Sequence, residues 1–205
     1  MKISHILSCV LLASIFLTAG CTKDDNPVNQ NDSSSVLMPL NVGNQWTYQN
    51  TMVDSSGVVR FSSTIIYKIF RDTLIQNEKW YLYGTNTTPS AWMANRADGL
   101  WIMPAPGNIS QSRVWYKYPA NVNDSWIVFN AAVTLAAANI SLTVPLGTFS
   151  CLQYTVSDTS SGAGLETIYF APGKGIIKFE YSSIILSPEL IPAVNKKELK
   201  GVILK

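Results

Sequence analysis

The chain has 205 residues, with 15 Lys plus Arg against 13 Asp plus Glu and a formal charge of +2. So even a balance offers no broad basic surface for phosphates and argues against nucleic acid as the main partner. At 47% hydrophobic, with 6 Trp, 9 Tyr and 7 Phe, it is too apolar and too aromatic for a disordered protein, and its length predicts one domain after any targeting segment.

Residues 1–20 have the layout of a secretory signal. Lys2 supplies the positive end, Ile6 to Leu17 a short apolar run, and Ala19-Gly20 the small residues ahead of a cleavage point. The run is too short for a membrane-spanning helix. Its ending, Leu17-Thr18-Ala19-Gly20-Cys21, resembles the lipobox of bacterial lipoproteins. That resemblance implies that Cys21 becomes the N-terminus, bearing a thioether diacylglycerol and an acylated amine, and that the protein's first partner is a membrane. Each buried acyl methylene adds about 0.8 kcal/mol of anchoring. An ordinary secreted protein cleaved at another site is the alternative.

Cleavage there removes His5, the one histidine, together with Cys9. Only Cys21, whose sulfur would be acylated, and Cys151 then remain, so no intramolecular disulfide is expected. Residues 21–35 form a polar tether, TKDDNPVNQNDSSS after the cysteine, able to span about 50 Å when extended. Its Thr22-Lys23-Asp24-Asp25 start resembles the signal that sends lipoproteins of Bacteroidota-type bacteria to the outer face of the outer membrane. The periplasmic face of that membrane stays open as the alternative.

From residue 36 to 205 the signals are those of one β domain. Gln45 to Val53 alternates, with Trp46 and Tyr48 on one face. The turn cluster Asp54-Ser55-Ser56-Gly57 leads into Val58 to Leu74, rich in β-branched residues. Asn77-Glu78 breaks the pattern before Lys79 to Tyr83. Trp92 to Ala97 and Leu100 to Met103 flank Asp98-Gly99, a hairpin signal. Strand patterns follow at Val114–Tyr118, Ser125–Leu135, Ile140–Val144, Thr148–Val156, Thr167–Phe170, Ile176–Tyr181 and Leu199–Leu204. The best helical stretch, Leu135 to Asn139, is too short to stand alone. Short strands with short connections predict an all-β fold, an antiparallel meander forming a sandwich or a partly open barrel.

Pro39-Leu40-Asn41-Val42 ahead of Trp46 is echoed by Pro119-Ala120-Asn121-Val122 ahead of Trp126, 80 residues later. The similarity fades beyond Trp126. It reads as two alike loop-to-strand lead-ins, each with a Trp anchor, with a duplicated half-sheet as the alternative.

Little in the chain points to chemistry. Without a histidine in the mature chain, Ser-His-Asp and Cys-His arrangements and the common zinc sites are excluded. Cys151 lies in an alternating strand, the context of a buried thiol. Glu166, Glu180, Asp98 and Asp124 fall singly at strands and turns, with nothing to pair any two of them for glycoside hydrolysis. Lys196, Lys197 and Lys200 read as a solvated basic spot. No catalytic residue, metal or cofactor is expected, and the protein is not expected to be an enzyme.

Aromatic residues offer more. All six Trp fall between Trp46 and Trp126. Trp46 and Trp126 are expected in the core, while Trp92 and Trp101 on one hairpin are the candidate ligand-binding surface.

The stretches Pro39 to Tyr48 (PLNVGNQWTY), Val144 to Phe149 (VPLGTF) and Tyr169 to Lys178 (YFAPGKGIIK) together resemble a family of uncharacterised bacterial lipoproteins, frequent in Bacteroidota. The resemblance implies an all-β domain behind a lipid anchor and carries over no site residues. The expected function is that of a non-catalytic binding or assembly module of the envelope, with a glycan or another envelope protein as partner. The alternative is a carrier holding a lipid or other apolar ligand in a concave sheet. A hydrolase comes third.

Overall fold

The computed structural model describes residues 36–105, 107–158, 165–185 and 191–205. The expected leader, the expected acylation site Cys21 and the expected tether lie outside the described residues. The rest is built from twelve strands: β1 (Gln45–Asp54), β2 (Val59–Ile75), β3 (Glu78–Thr85), β4 (Pro89–Arg96), β5 (Gly99–Pro104), β6 (Arg113–Lys117), β7 (Ser125–Val128), β8 (Ala131–Val144), β9 (Gly147–Asp158), β10 (Glu166–Ala171), β11 (Gly175–Ile185) and β12 (Ile191–Ile203). Among the described residues the only helical turn is a 3-10 segment, Ile109–Gln111.

All twelve form one antiparallel sheet in the order β6-β5-β4-β3-β2-β1-β12-β11-β10-β9-β8-β7. The expected meander is therefore present, and it rolls into a nearly closed barrel rather than a sandwich. Pairing of β1 with β12 joins the first and last of the described strands. At the opposite side β6 and β7 approach without a ladder. Two side chains bridge that seam: Trp126 Nε1 donates to the Trp115 carbonyl (3.1 Å), and the Tyr154 hydroxyl donates to the Lys117 carbonyl (2.7 Å).

Turn chemistry sets the hairpins. Gln76 and Asn77 both take positive φ (49° and 67°) between the paired Ile75 and Glu78, the two-residue turn whose twist matches the strands. At the β4–β5 hairpin the loop is Ala97-Asp98, one residue earlier than the Asp98-Gly99 signal suggests. Gly99 opens β5 at φ 139°, where a Cβ would meet the Tyr116 carbonyl oxygen at 2.1 Å, so only glycine fits.

Three expectations need correction. Ser125–Leu135 is not one strand but parts of β7 and β8, folded over at Phe129-Asn130, with Phe129 at φ 54°. No Gly or Pro marks that turn. Leu135–Asn139 belongs to β8, where register shifts and Asn139 at φ 59° make bulges; pairing with β9 overrides the Ala-rich propensity. Finally, β12 begins at Ile191, so Lys196, Lys197 and Lys200 lie on a strand and not in a solvated loop.

One large core cluster lines the inside of the barrel, including Trp46, Tyr154, Phe170, Ile168 and Leu199, all essentially inaccessible. Trp46 and Trp126 are both core, as expected. The segment before β1 closes one end of the barrel. Leu37, Met38 and Leu40 are buried, and backbone carbonyls of this segment are held by Asn95 Nδ2 on Met38, Gly173 N on Val36 and Asn44 Nδ2 on Pro39. A smaller cluster on the other face of β3–β5 packs Trp80, Leu82, Trp92, Ala94 and Met103 beneath the 3-10 segment.

Candidate functional site

Inside the barrel lies a cavity of about 330 Å³. Met38 contributes from the segment that closes one end. Tyr48, Tyr67, Tyr83, Met93, Leu100 and Tyr116 line it from β1 to β6, and Phe170, Ile176 and Phe179 from the other side. Strand alternation explains the arrangement, because residues two apart share a face: Trp46 and Tyr48 on β1, Phe179 and Tyr181 on β11, Asn195, Lys197 and Leu199 on β12. The rings pack against one another, Tyr67 stacked on Tyr83 at 5.4 Å and edge-on to Tyr48 at 5.8 Å. Burial pushes the Tyr48, Tyr83 and Tyr116 phenols well above their usual range, so these rings are neutral, largely apolar walls.

Two charged residues also line the cavity, Glu166 from β10 and Lys197 from β12, both half-buried. Lys197 Nζ donates to the Tyr67 hydroxyl at 3.0 Å. It also faces the rings of Phe179, Tyr67 and Tyr181, at 5.0, 5.5 and 5.9 Å from their centres, the geometry of a cation held by π faces. Burial raises the Glu166 carboxyl above the ordinary carboxylate range, opposed by the positive charge of Lys197. Opposite Lys197 in the β1–β12 ladder is Asn50, whose Oδ1 is buried without a partner among the described residues.

The remaining lysines of this region behave differently. On the outer face Lys178 sits 3.0 Å from Glu180 and 3.3 Å from Glu198, with Lys196 3.8 Å from Glu180. This is a cross-strand ladder of alternating charge.

The other sequence candidates are dispersed. Trp92 is buried in the outer cluster, with Arg71 over its ring at 5.5 Å. Trp101 is half-buried on the same face. Its Nε1 donates to Asp98, and the Arg96 guanidinium covers its ring at 3.8 Å while making a two-pronged ion pair with Glu78. Asp124 accepts from the Asn121 backbone N–H and secures the turn before β7. Glu180 belongs to the outer ladder. Of the four acids weighed in the sequence, only Glu166 faces the cavity. Cys151 is buried, and its thiol is pushed up to about 11 by that burial. Among the described residues no three His, Cys, Asp or Glu side chains come together to hold a metal ion.

Sequence reasoning missed Lys197 because a Lys-Lys pair reads as surface. A signal was nonetheless present: Ala193, Asn195, Lys197 and Leu199 form one side of an alternating strand whose other side carries Lys196, Glu198 and Lys200.

Fold and site together define a nearly closed, twelve-stranded antiparallel barrel with an aromatic interior chamber and one charge of each sign in its lining. No protein-family model matches the chain, and no curated protein matches it significantly. Among solved structures, a candidate lipoprotein from Parabacteroides distasonis aligns at 15% identity and a TM-score of 0.43, over 82% of this chain and 98% of that one. A candidate exported protein with a YmcC-like fold from Bacteroides fragilis aligns at 13% identity and a TM-score of 0.45, over 82% and 99%.

Proposed function

We propose that this is a non-catalytic, lipid-anchored protein of the outer membrane whose barrel takes up a small, mainly apolar molecule. The observation that carries the reading is the interior chamber. Its size of about 330 Å³ is at the small end of ligand pockets, and walls of aromatic and aliphatic side chains with few polar groups are the usual make-up of such sites. The carrier reading is thus better supported than a glycan- or protein-binding surface on the β4–β5 hairpin. There the flat face that sugar stacking needs is buried at Trp92 and covered by Arg96 at Trp101. The anchor rests on the lipobox-like ending at Cys21, and the location at the outer membrane on the same residues and the tether.

Native mass spectrometry of the purified chain, compared with the same sample denatured, tests uptake: a small mass lost on denaturation supports the carrier. Titration with neutral aromatic probes gives the second test, and failure of every probe to bind removes the reading. For the anchor, Cys21→Ala is expected to move the protein from the membrane to the soluble fraction. A variant that stays membrane-bound overturns acylation at this residue.

A further inference from the structure

The lining of the chamber holds two opposite charges that do not meet. Among the described residues no carboxylate lies within 4 Å of Lys197 Nζ and no cation within 4 Å of the Glu166 carboxylate, whereas Lys178 and Lys196 just outside both have carboxylate partners. Without a direct ion pair, only the longer-range attraction of Lys197 for Glu166 offsets their desolvation. The aromatic faces around Lys197 supply part of the compensation on one side only.

We propose that the ligand is a small zwitterion with an apolar tail, of the kind a hydrophobic α-amino acid represents, its head bridging Lys197 and Glu166. This deepens the carrier reading and rests on it. The ligand carboxylate accepts from Lys197 Nζ, which has two N–H donors left after its bond to Tyr67, and from the Tyr67 O–H, whose oxygen accepts from Lys197. The ligand ammonium donates to Glu166. The tail lies among Tyr48, Tyr83, Met93, Leu100 and Phe170. Charge complementarity favours this head over a simple acid or a simple amine. One acidic and one basic side chain face the chamber, and a head with both an ammonium and a carboxylate meets each with its complement. A lone carboxylate leaves Glu166 without a cationic partner, and a lone ammonium leaves Lys197 without an anionic one.

The test uses the full chain in lipid nanodiscs, with empty nanodiscs subtracted, and calorimetric titration of four probes of like tail: L-phenylalanine, 3-phenylpropanoate, 2-phenylethylammonium and neutral 3-phenylpropan-1-ol. Phenylalanine is expected to bind at least about tenfold tighter than either singly charged probe, the scale of one charge-assisted hydrogen bond. Lys197→Met and Glu166→Gln are each expected to abolish that advantage while leaving the neutral alcohol unaffected, which shows the chamber intact in both variants. If either singly charged probe binds as tightly as phenylalanine, the zwitterion proposal is overturned and the carrier reading stands. If the alcohol alone binds, the same holds. If none of the four binds, both readings fall together.

Discussion

The indole Nε1 of Trp46 donates a 2.7 Å hydrogen bond to the backbone carbonyl of Lys174, 128 residues further along the chain. Next to it, Gly175 takes φ 95°, and a Cβ there would come within 3.0 Å of the same indole nitrogen. The Gly43-Asn44-Gln45-Trp46 turn-and-strand and the Pro172-Gly173-Lys174-Gly175 turn are thus two halves of one device, which closes the end of the barrel below the chamber. The Tyr48 hydroxyl extends it by donating to the Ile176 carbonyl at 2.8 Å.

Removing that anchor is expected to be costly. Trp46→Ala should lower stability by about 3–5 kcal/mol, as for other fully buried large rings, read from the midpoint of urea unfolding. A change within a few tenths of a kcal/mol would mean that the ring does not hold the barrel end closed.

The seam between β6 and β7 depends on side chains instead of a ladder, so it should respond to a single atom. Tyr154→Phe removes the donor to the Lys117 carbonyl and is expected to cost about 1–3 kcal/mol. Amide exchange should accelerate in β6 and β7 and stay unchanged in β1 and β12, whose ladder is continuous with both neighbours. Uniform acceleration over all strands would show that the seam opens only with global unfolding.

Two carboxyls predict opposite responses to pH. Asp54 accepts from the Ser56 hydroxyl, the Val58 backbone N–H, the Arg60 guanidinium and the Ser56 backbone N–H, and its carboxyl lies well below the ordinary 3.8. The folded state then binds fewer protons than the unfolded one, so this stabilisation is present above about pH 4 and is lost on acidification below it. Asp54→Asn should flatten the acid limb of the stability–pH curve. Glu166, raised by burial, has the other sign: ionisation above the ordinary 4.5 is resisted in the folded state, and stability falls as pH rises through its folded value. Glu166→Gln is expected to raise the melting temperature at neutral pH. A lowered one would mean that the charged form is stabilised in the fold.

Cys151 should be chemically quiet. With its thiol pushed up to about 11 and its side chain inside the barrel wall, almost no thiolate exists at pH 8, and reagents reach it only when the barrel opens. Iodoacetamide labelling read by peptide mapping should be slow in the folded protein and fast in denaturant. Equal rates would place the thiol at the surface.

Much of the strand plan was legible in the residues. Alternation around Trp46 and Tyr48, the Asp54–Gly57 turn, the β4–β5 hairpin and the Trp46 and Trp126 anchors are local features, each set by side-chain period or by positive φ within a few residues. The echo between Asn41–Trp46 and Asn121–Trp126 was legible too. In both, a backbone N–H bonds back three residues, Asn44 to Asn41 and Asp124 to Asn121, each at 3.0 Å, and the Trp two residues later is the second residue of its strand. The two lead-ins start the two six-stranded halves of the meander.

By itself, then, the sequence determined an all-β antiparallel meander, because strand period and turn preference act over a few residues. Which strands meet was decided only by the tertiary structure. Pairing β1 with β12 rolled the meander into a barrel, turned the Lys197 side of β12 inward, and brought Lys197 and Glu166 into the lining of a cavity whose rings come from strands more than 100 residues apart. A cavity is a property of closure, and closure depends on long-range register, which no local pattern in the chain encodes.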